Sequence, residues 1–116
     1  MNKKRKRKLV FIESPFRGDN YKNTRKYLRY AKDCVRDCFA RGEIPFASHL
    51  LYTRKGILND RNPRERKLGM EAGWAWAEKA DLIVIYTDFG ISDGMKRGIK
   101  KAKKEGRTIE YRTLKK

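Results

Sequence analysis

An α/β fold, a parallel sheet of about four strands covered by helices, is predicted by three features of the chain. Two continuous apolar runs, Leu9–Ile12 and Leu82–Tyr86, have the composition of strands buried on both faces. Segments with apolar residues at helical spacing separate the extended pieces. Gly, Pro, Asn and Asp punctuate the boundaries in the alternating order of a sheet with crossover helices.

The first strand, Leu9–Ile12, ends at Ser14-Pro15. From Asn23 to about Arg41, Tyr27, Ala31, Cys34, Val35 and Cys38 fall on one helical face, and Gly42 stops the helix. A short strand over Ile44–Ala47 leads into Ser48–Arg61, a loop too long for mere connection in so small a domain. Asn62-Pro63-Arg64-Glu65 reads as a helix start, with an Asn cap, proline at the first position and Glu65 completing a capping box. That helix runs to about Lys79, with Leu68, Ala72, Ala75 and Trp76 expected on its packed face. Gly69 and Gly73 leave room for close approach. After Leu82–Tyr86, a helix starts near Asp93 or Gly94 with Met95, Ile99 and Ala102 inward, and Gly106 precedes a last strand, Thr108–Tyr111. The order is β-α-β-α-β-α-β with right-handed crossovers.

At 116 residues this is one domain. Lys and Arg number 31 against 14 Asp and Glu, a formal charge of +17 that calls for an anionic partner. Six of those cations lie in Lys3 to Lys8, so residues 1–8 read as a basic disordered tail and 9–116 as a domain that is itself strongly basic. Cys34 and Cys38, one turn apart, read as small buried hydrophobes. His49 is the only histidine, so no metal site is expected and no cofactor motif is present. Nothing resembles a signal peptide or a membrane span, and the expected setting is cytoplasmic and reducing.

Ligands of open α/β sheets bind at the carboxyl ends of the strands, beside the reversal in strand order. Three loops meet there. Ser14, Pro15, Phe16, Arg17 and Gly18, with Asn23 at the start of the next helix, supply a hydroxyl, a planar cation and backbone N–H groups for phosphate or carboxylate oxygen. His49 follows the second strand as a ligand or as a hydrogen-bonded structural residue. Asp88, Ser92, Asp93, Gly94 and Met95 form the third loop, whose aspartates suit ribose hydroxyls, although Asp93 also suits a helix cap. Phe16, Tyr52, Trp74 and Trp76 offer faces for a base, the tryptophans being better suited to core or interface packing.

The order and spacing of Ser14-Pro15-Phe16-Arg17-Gly18, Pro45-Phe46-Ala47-Ser48-His49-Leu50, Ala80-Asp81-Leu82 and Asp88 to Met95 resemble the nucleoside 2-deoxyribosyltransferase-like superfamily, over about residues 9–112 and closest to its small uncharacterised branch. The resemblance implies a flavodoxin-like sheet, a homodimer or higher homo-oligomer, and nucleosides or nucleotides bound at the strand ends. It implies N-glycosidic chemistry through a glutamate at the anomeric carbon, with an aspartate, here Asp88, positioning sugar and base. The glutamate falls on Gly98. Glycine can neither attack the sugar nor stabilise positive charge on it. A mid-helix glycine also costs about 0.5–1 kcal/mol relative to alanine, so the space above Gly98 is expected to be used, as room for a ligand.

The leading expectation is therefore a pocket that binds, and sequesters without turnover, a small nucleotide-like phosphate ester. ADP-ribose-derived immune signals of the cyclic ADP-ribose type are a candidate class, in an anti-defence role. The alternative is a nucleoside deoxyribosyltransferase or nucleotide N-glycosidase in which Glu13 or Asp88 acts instead, or in which Glu71 reaches the site. A third reading is a basic nucleic-acid-binding accessory protein using Lys3–Lys8 and Lys96–Lys104. Large aromatics at Trp74 and Trp76, with little core to fill in so small a domain, suggest the dimer.

Overall fold

A computed structural model describes residues 7–16 and 21–115. Its elements are β1 (Leu9–Glu13), α1 (Tyr21–Ala40), β2 (Ile44–Phe46), α2 (Ser48–Tyr52), α3 (Pro63–Ala77), β3 (Leu82–Tyr86), α4 (Asp93–Lys104) and β4 (Ile109–Arg112). The four strands form one all-parallel sheet in the order β2-β1-β3-β4, a flavodoxin-like α/β arrangement. The reversal of strand order falls between β1 and β3, the two strands with the most apolar sequences.

Alternation along those strands divides the core. Val10, Ile12, Leu82, Val84 and Tyr86 face α1 and pack with Tyr30, Cys34 and Cys38, whereas Phe11, Ile83 and Ile85 face α4 and pack with Met95, Ile99 and Ala102. Both cysteines are free and fully buried, as their spacing on α1 predicts. Pro45 sits in β2, an edge strand, where a missing N–H costs the ladder least.

The glycines after α1 and α4 close both helices in the same way. Gly42 adopts φ 79°, its N–H donates to Phe39 O, and Glu43 N–H reaches back to Cys38 O. Gly106 adopts φ 70°, with Gly106 N–H on Lys103 O and Arg107 N–H on Ala102 O. Each is a Schellman closure, which needs the left-handed backbone that glycine takes without a Cβ penalty.

Four expectations are corrected. The expected long loop after β2 contains a helix, α2, so the element order gains a member. Arg7 and Lys8 do not belong to the expected tail: Arg7 Nε donates to Gly42 O at 3.0 Å, and Lys8 O accepts from Ile44 N, so both belong to the fold. The other four cations of the run, Lys3, Lys4, Arg5 and Lys6, lie outside the described residues. The capping box at α3 is only half made. Asn62 Oδ1 accepts from Arg64 N and Glu65 N, but Glu65 Oε1 turns to Asn59 N, because Asn62 N–H is already held by Asn59 O.

The fourth concerns the packed face of α3. Leu68 is 53% and Trp76 56% exposed, and Ala75 is also exposed. The inward stripe is Arg66, Met70, Gly73, Trp74 and Ala77. Gly73 admits Ser48, whose Oγ would stand 2.6 Å from a β-carbon at position 73, and Gly69 admits Leu58, at 3.3 Å from its own. The two glycines thus bring α2 and the following loop against α3. Among the described residues no helix is long and apolar enough to cross a membrane.

Candidate functional site

A cavity of about 400 Å³ opens at the carboxyl ends of β1 and β3, at the reversal of strand order. Glu13 and Ser14 from the end of β1, Ser48 and His49 from the start of α2, and Ser92 to Met95 from the start of α4 line it. Met70, Gly73 and Trp74 wall it from α3, and Arg66, Arg97 and Asp60 stand among its polar lining groups.

Strand parity explains how Glu13 enters. It follows Phe11 on the face of β1 turned toward α4, and its backbone pairs with Ile85 of β3. Gly98 lies beneath it on α4. A β-carbon built at position 98 would overlap Glu13 Oε2 and stand 2.8 Å from Cδ and 3.3 Å from Oε1. The room above Gly98 is thus filled by a carboxyl group of the protein, which corrects the expectation that glycine leaves it for a ligand. Burial raises the Glu13 pKa from 4.5 to about 8. No cation or hydrogen-bond donor among the described residues offsets that cost, so at neutral pH the group is mostly a neutral carboxylic acid.

Ser14 Oγ and His49 Nε2 lie 3.1 Å apart, and Phe16 meets the His49 ring edge-on at a centroid distance of 5.6 Å. Burial, with a smaller contribution from the Arg54 charge, lowers the His49 pKa to about 4. The imidazole is therefore neutral near pH 7 and a weakened base toward the serine. The pair instead offers an uncharged hydroxyl and ring nitrogen beside Glu13. At α4, Ser92 Oγ accepts from Met95 N at 3.3 Å, so Ser92 rather than Asp93 caps the helix, and Asp93 faces the cavity.

Of the residues expected at the site, Glu13, Ser14, Phe16, His49, Ser92, Asp93, Gly94 and Met95 line this cavity, and Gly98 supports Glu13 from below. Pro15 is buried and Asn23 stands on α1, neither of them lining it. Arg17 and Gly18 lie outside the described residues. Glu71 is exposed and lines a neighbouring groove.

Asp88 is a correction. It sits on the α1 side, where its carboxylate accepts from Tyr30 OH at 2.5 Å, from Leu114 N at 2.9 and 3.1 Å, and from Lys115 N at 3.2 Å. Burial works to raise its pKa, but those hydrogen bonds outweigh it and hold the group below the ordinary aspartate value. Its acceptor capacity is committed to anchoring the chain after β4, and it does not line the cavity.

Sequence reasoning names Ser48 as part of the loop after the second strand but gives it no role, passes over Asp60, Arg66, Met70 and Arg97 as site residues, and assigns Trp74 to core or interface packing. A signal exists for three of them: Arg66, Met70 and Trp74 recur every fourth residue, one stripe of α3. Together the lining provides hydroxyls, a neutral acid and a neutral imidazole near the strand ends, two arginines with the carboxyl groups of Asp60 and Asp93 beside them, and the flat faces of Phe16 and Trp74. Among the described residues no group of three His, Cys, Asp or Glu is placed to hold a metal ion.

Comparison with curated proteins gives no match. Residues 8–112 match the family model of a domain of unknown function, DUF7768, and the chain belongs to that family.

Proposed function

We propose that this cavity binds a small nucleotide-like phosphate ester and holds it without turnover near neutral pH. The observation that carries the reading is the placement of Glu13, whose carboxyl lies over Gly98 in the cavity lining: burial there pushes its pKa up to about 8, so at pH 7 it donates a hydrogen bond to a sugar or base oxygen and is a poor nucleophile. The cavity volume suits a nucleoside-sized ligand. Arg66 and Arg97 suit a phosphate, and Trp74 and Phe16 a planar base. The resemblance to nucleoside 2-deoxyribosyltransferase-like proteins supports the same ligand class. ADP-ribose-derived signals of the cyclic type fit it, with sequestration as the role, and the two free thiols suit a reducing, cytoplasmic setting.

A second reading, cleavage or exchange of an N-glycosidic bond, is favoured by one feature. The Glu13 carboxyl fills the space above position 98, where the resemblance calls for a glutamate. Ionised, it would be an acceptable nucleophile. Calorimetry with a panel of nucleotides and cyclic ADP-ribose isomers, followed by chromatography of the recovered ligand at about pH 7 and about pH 9, separates the two. Intact ligand at both values supports binding alone. Free base that increases with pH and disappears in Glu13→Gln replaces it with the glycosidic reading.

A further inference from the structure

Between α3 and α4 a groove of about 430 Å³ opens off the cavity, sharing Arg66, Met70, Trp74 and Arg97 with it and continuing outward along Arg61, Pro63, Lys67 and Glu71. Four cationic side chains line it against the single carboxylate of Glu71. They converge from separate places: Arg61 precedes α3, Arg66 and Lys67 belong to it, and Arg97 comes from α4. Gathering like charges in one concavity costs repulsion that an anion relieves.

Ion pairs are few on so basic a surface, Arg41 with Asp37 and Lys101 with Glu105, both at 2.9 Å, being two of them, and what sets the groove apart is the convergence of its cations on one concavity. In the groove the one ion pair is the loose Arg66–Asp60 contact at 3.7 Å, and Arg61, Lys67 and Arg97 have none among the described residues. Arg66 also leans over the first turn of α4, since its Nη2 would stand 3.4 Å from a β-carbon at Gly94. This places the guanidinium beside the positive end of the helix, and an anion would be drawn to both.

We propose that this groove is a second anion subsite that takes a further phosphate of the ligand, making the preferred ligand a nucleoside diphosphate or a pyrophosphate-bridged nucleotide. The identity of the ligand rests on the reading of the cavity given above; the anion subsite rests on the groove alone. Arg66 and Arg97 stand at the junction, where the phosphate nearest the sugar belongs. Arg61 and Lys67 meet the next one. Trp74 borders both compartments, whereas Trp76, two residues on, points away from them.

The test uses the full chain labelled with ¹⁵N, reading the two indole N–H resonances, with calorimetry in parallel. Adenosine diphosphate is expected to bind about tenfold more tightly than adenosine monophosphate and to move the Trp74 signal while leaving that of Trp76 in place. The exposed double variant Arg61→Gln/Lys67→Gln should close that gap to about twofold and leave monophosphate affinity unchanged. Equal affinity of the two nucleotides for the wild type, or equal weakening of both in the variant, overturns the proposal.

Inorganic pyrophosphate separates the two levels. If neither nucleotide binds but pyrophosphate moves Trp74 alone and the double variant abolishes the effect, the nucleotide reading fails and the anion subsite stands. Pyrophosphate that moves neither indole, or both alike, overturns the subsite. A single-stranded oligonucleotide that displaces adenosine diphosphate, with affinity falling steeply in salt, overturns the small-ligand assignment in favour of a polynucleotide.

Discussion

The carboxyl group of Glu13 occupies the volume that a side chain at Gly98 would fill. The acid at the floor of the cavity is thus delivered from the end of β1, across the sheet-helix interface, and the glycine on α4 is the condition for it. The two positions are coupled by exclusion, and either can be filled only if the other yields.

That coupling predicts a reversal of sign. Gly98→Ala alone should destabilise the protein by about 0.5–1 kcal/mol, because the new methyl overlaps the Glu13 carboxyl and forces that side chain to turn aside from its place over the helix. In a Glu13→Ala background the same substitution should stabilise by about 0.5–1 kcal/mol, the ordinary helical preference of alanine over glycine. Urea unfolding of the four proteins in a double-mutant cycle reads the difference. Additive effects would mean that Glu13 does not occupy this space.

Burial of Glu13 also predicts how stability depends on pH. Its pKa is about 8 in the fold and near 4.5 in the unfolded chain, so between these values the folded protein retains a proton that the unfolded chain has lost. Stability from this group is full below about pH 4.5 and falls as pH rises to about 8. His49 acts oppositely, with its pKa lowered from 6.5 to about 4: its contribution is full above about 6.5 and lost as pH falls through 4. From about pH 6.5 to 8 only the Glu13 slope remains of the two. Calorimetric Tm should fall over that interval in the wild type, and Glu13→Gln should flatten the fall.

Arg112 is the principal buried cation of the described chain. Its Nη1 and Nη2 donate to the two carboxylate oxygens of Glu43 at 2.8 and 2.6 Å, and Nε donates to Glu110 at 2.6 Å. Tyr86 OH stands against it and donates to Asp37 at 2.7 Å, so β4, β3, α1 and the entry to β2 meet in one network. The Glu43 hydrogen bond, more than any other influence, raises the arginine pKa further. Arg112→Ala should cost about 3–5 kcal/mol through the carboxylate left behind. Arg112→Lys should recover only part of it, since a point charge cannot make the two-pronged contact. Chemical denaturation of both variants checks the ranking.

Trp76 carries the expectation of a dimer. It is largely exposed, its ring lies 5.5 Å from that of Phe46, and Nε1 donates to Tyr52 OH at 2.8 Å. These rings adjoin an apolar groove beside β2 that includes Ile44, Pro45 and Ala80. Pro45 interrupts the N–H row of this edge, so association here would be through side chains and not through a continued sheet. If a second copy covers this face, sedimentation should show a dimer for the wild type and a monomer for Trp76→Lys. A wild-type monomer at high concentration overturns the assignment.

The sheet is readable from sequence because β1 and β3 are apolar without interruption and because Gly42 and Gly106 mark helix ends that only a left-handed residue closes. The position of Glu13 is within reach too, since alternation places it on the face of Phe11. What sequence does not convey is that α4 passes so close beneath it, which depends on the packing of Met95 and Ile99. The face of α3 reads backwards for a physical reason. Its inward stripe contains an arginine and a glycine because it borders a polar cavity, while Leu68 and Trp76 face outward. Hydropathy identifies the side that avoids water and has no means of marking a side that lines a polar site.

Asp88 tests whether the resemblance extends to the aspartate after the third strand. In this chain its oxygens hold Tyr30 and the backbone N–H groups of Leu114 and Lys115, leaving no free face toward the cavity. Asp88→Asn keeps the shape, but its amide nitrogen would meet donors where an acceptor is needed. A loss of about 1–3 kcal/mol follows from the unsatisfied groups, with release of the segment from Thr113 onward. Hydrogen exchange at Leu114 should quicken by a larger factor than at Val84. Nucleotide affinity, measured below the melting transition, should be unchanged. A specific loss of affinity with stability intact would return Asp88 to the binding site.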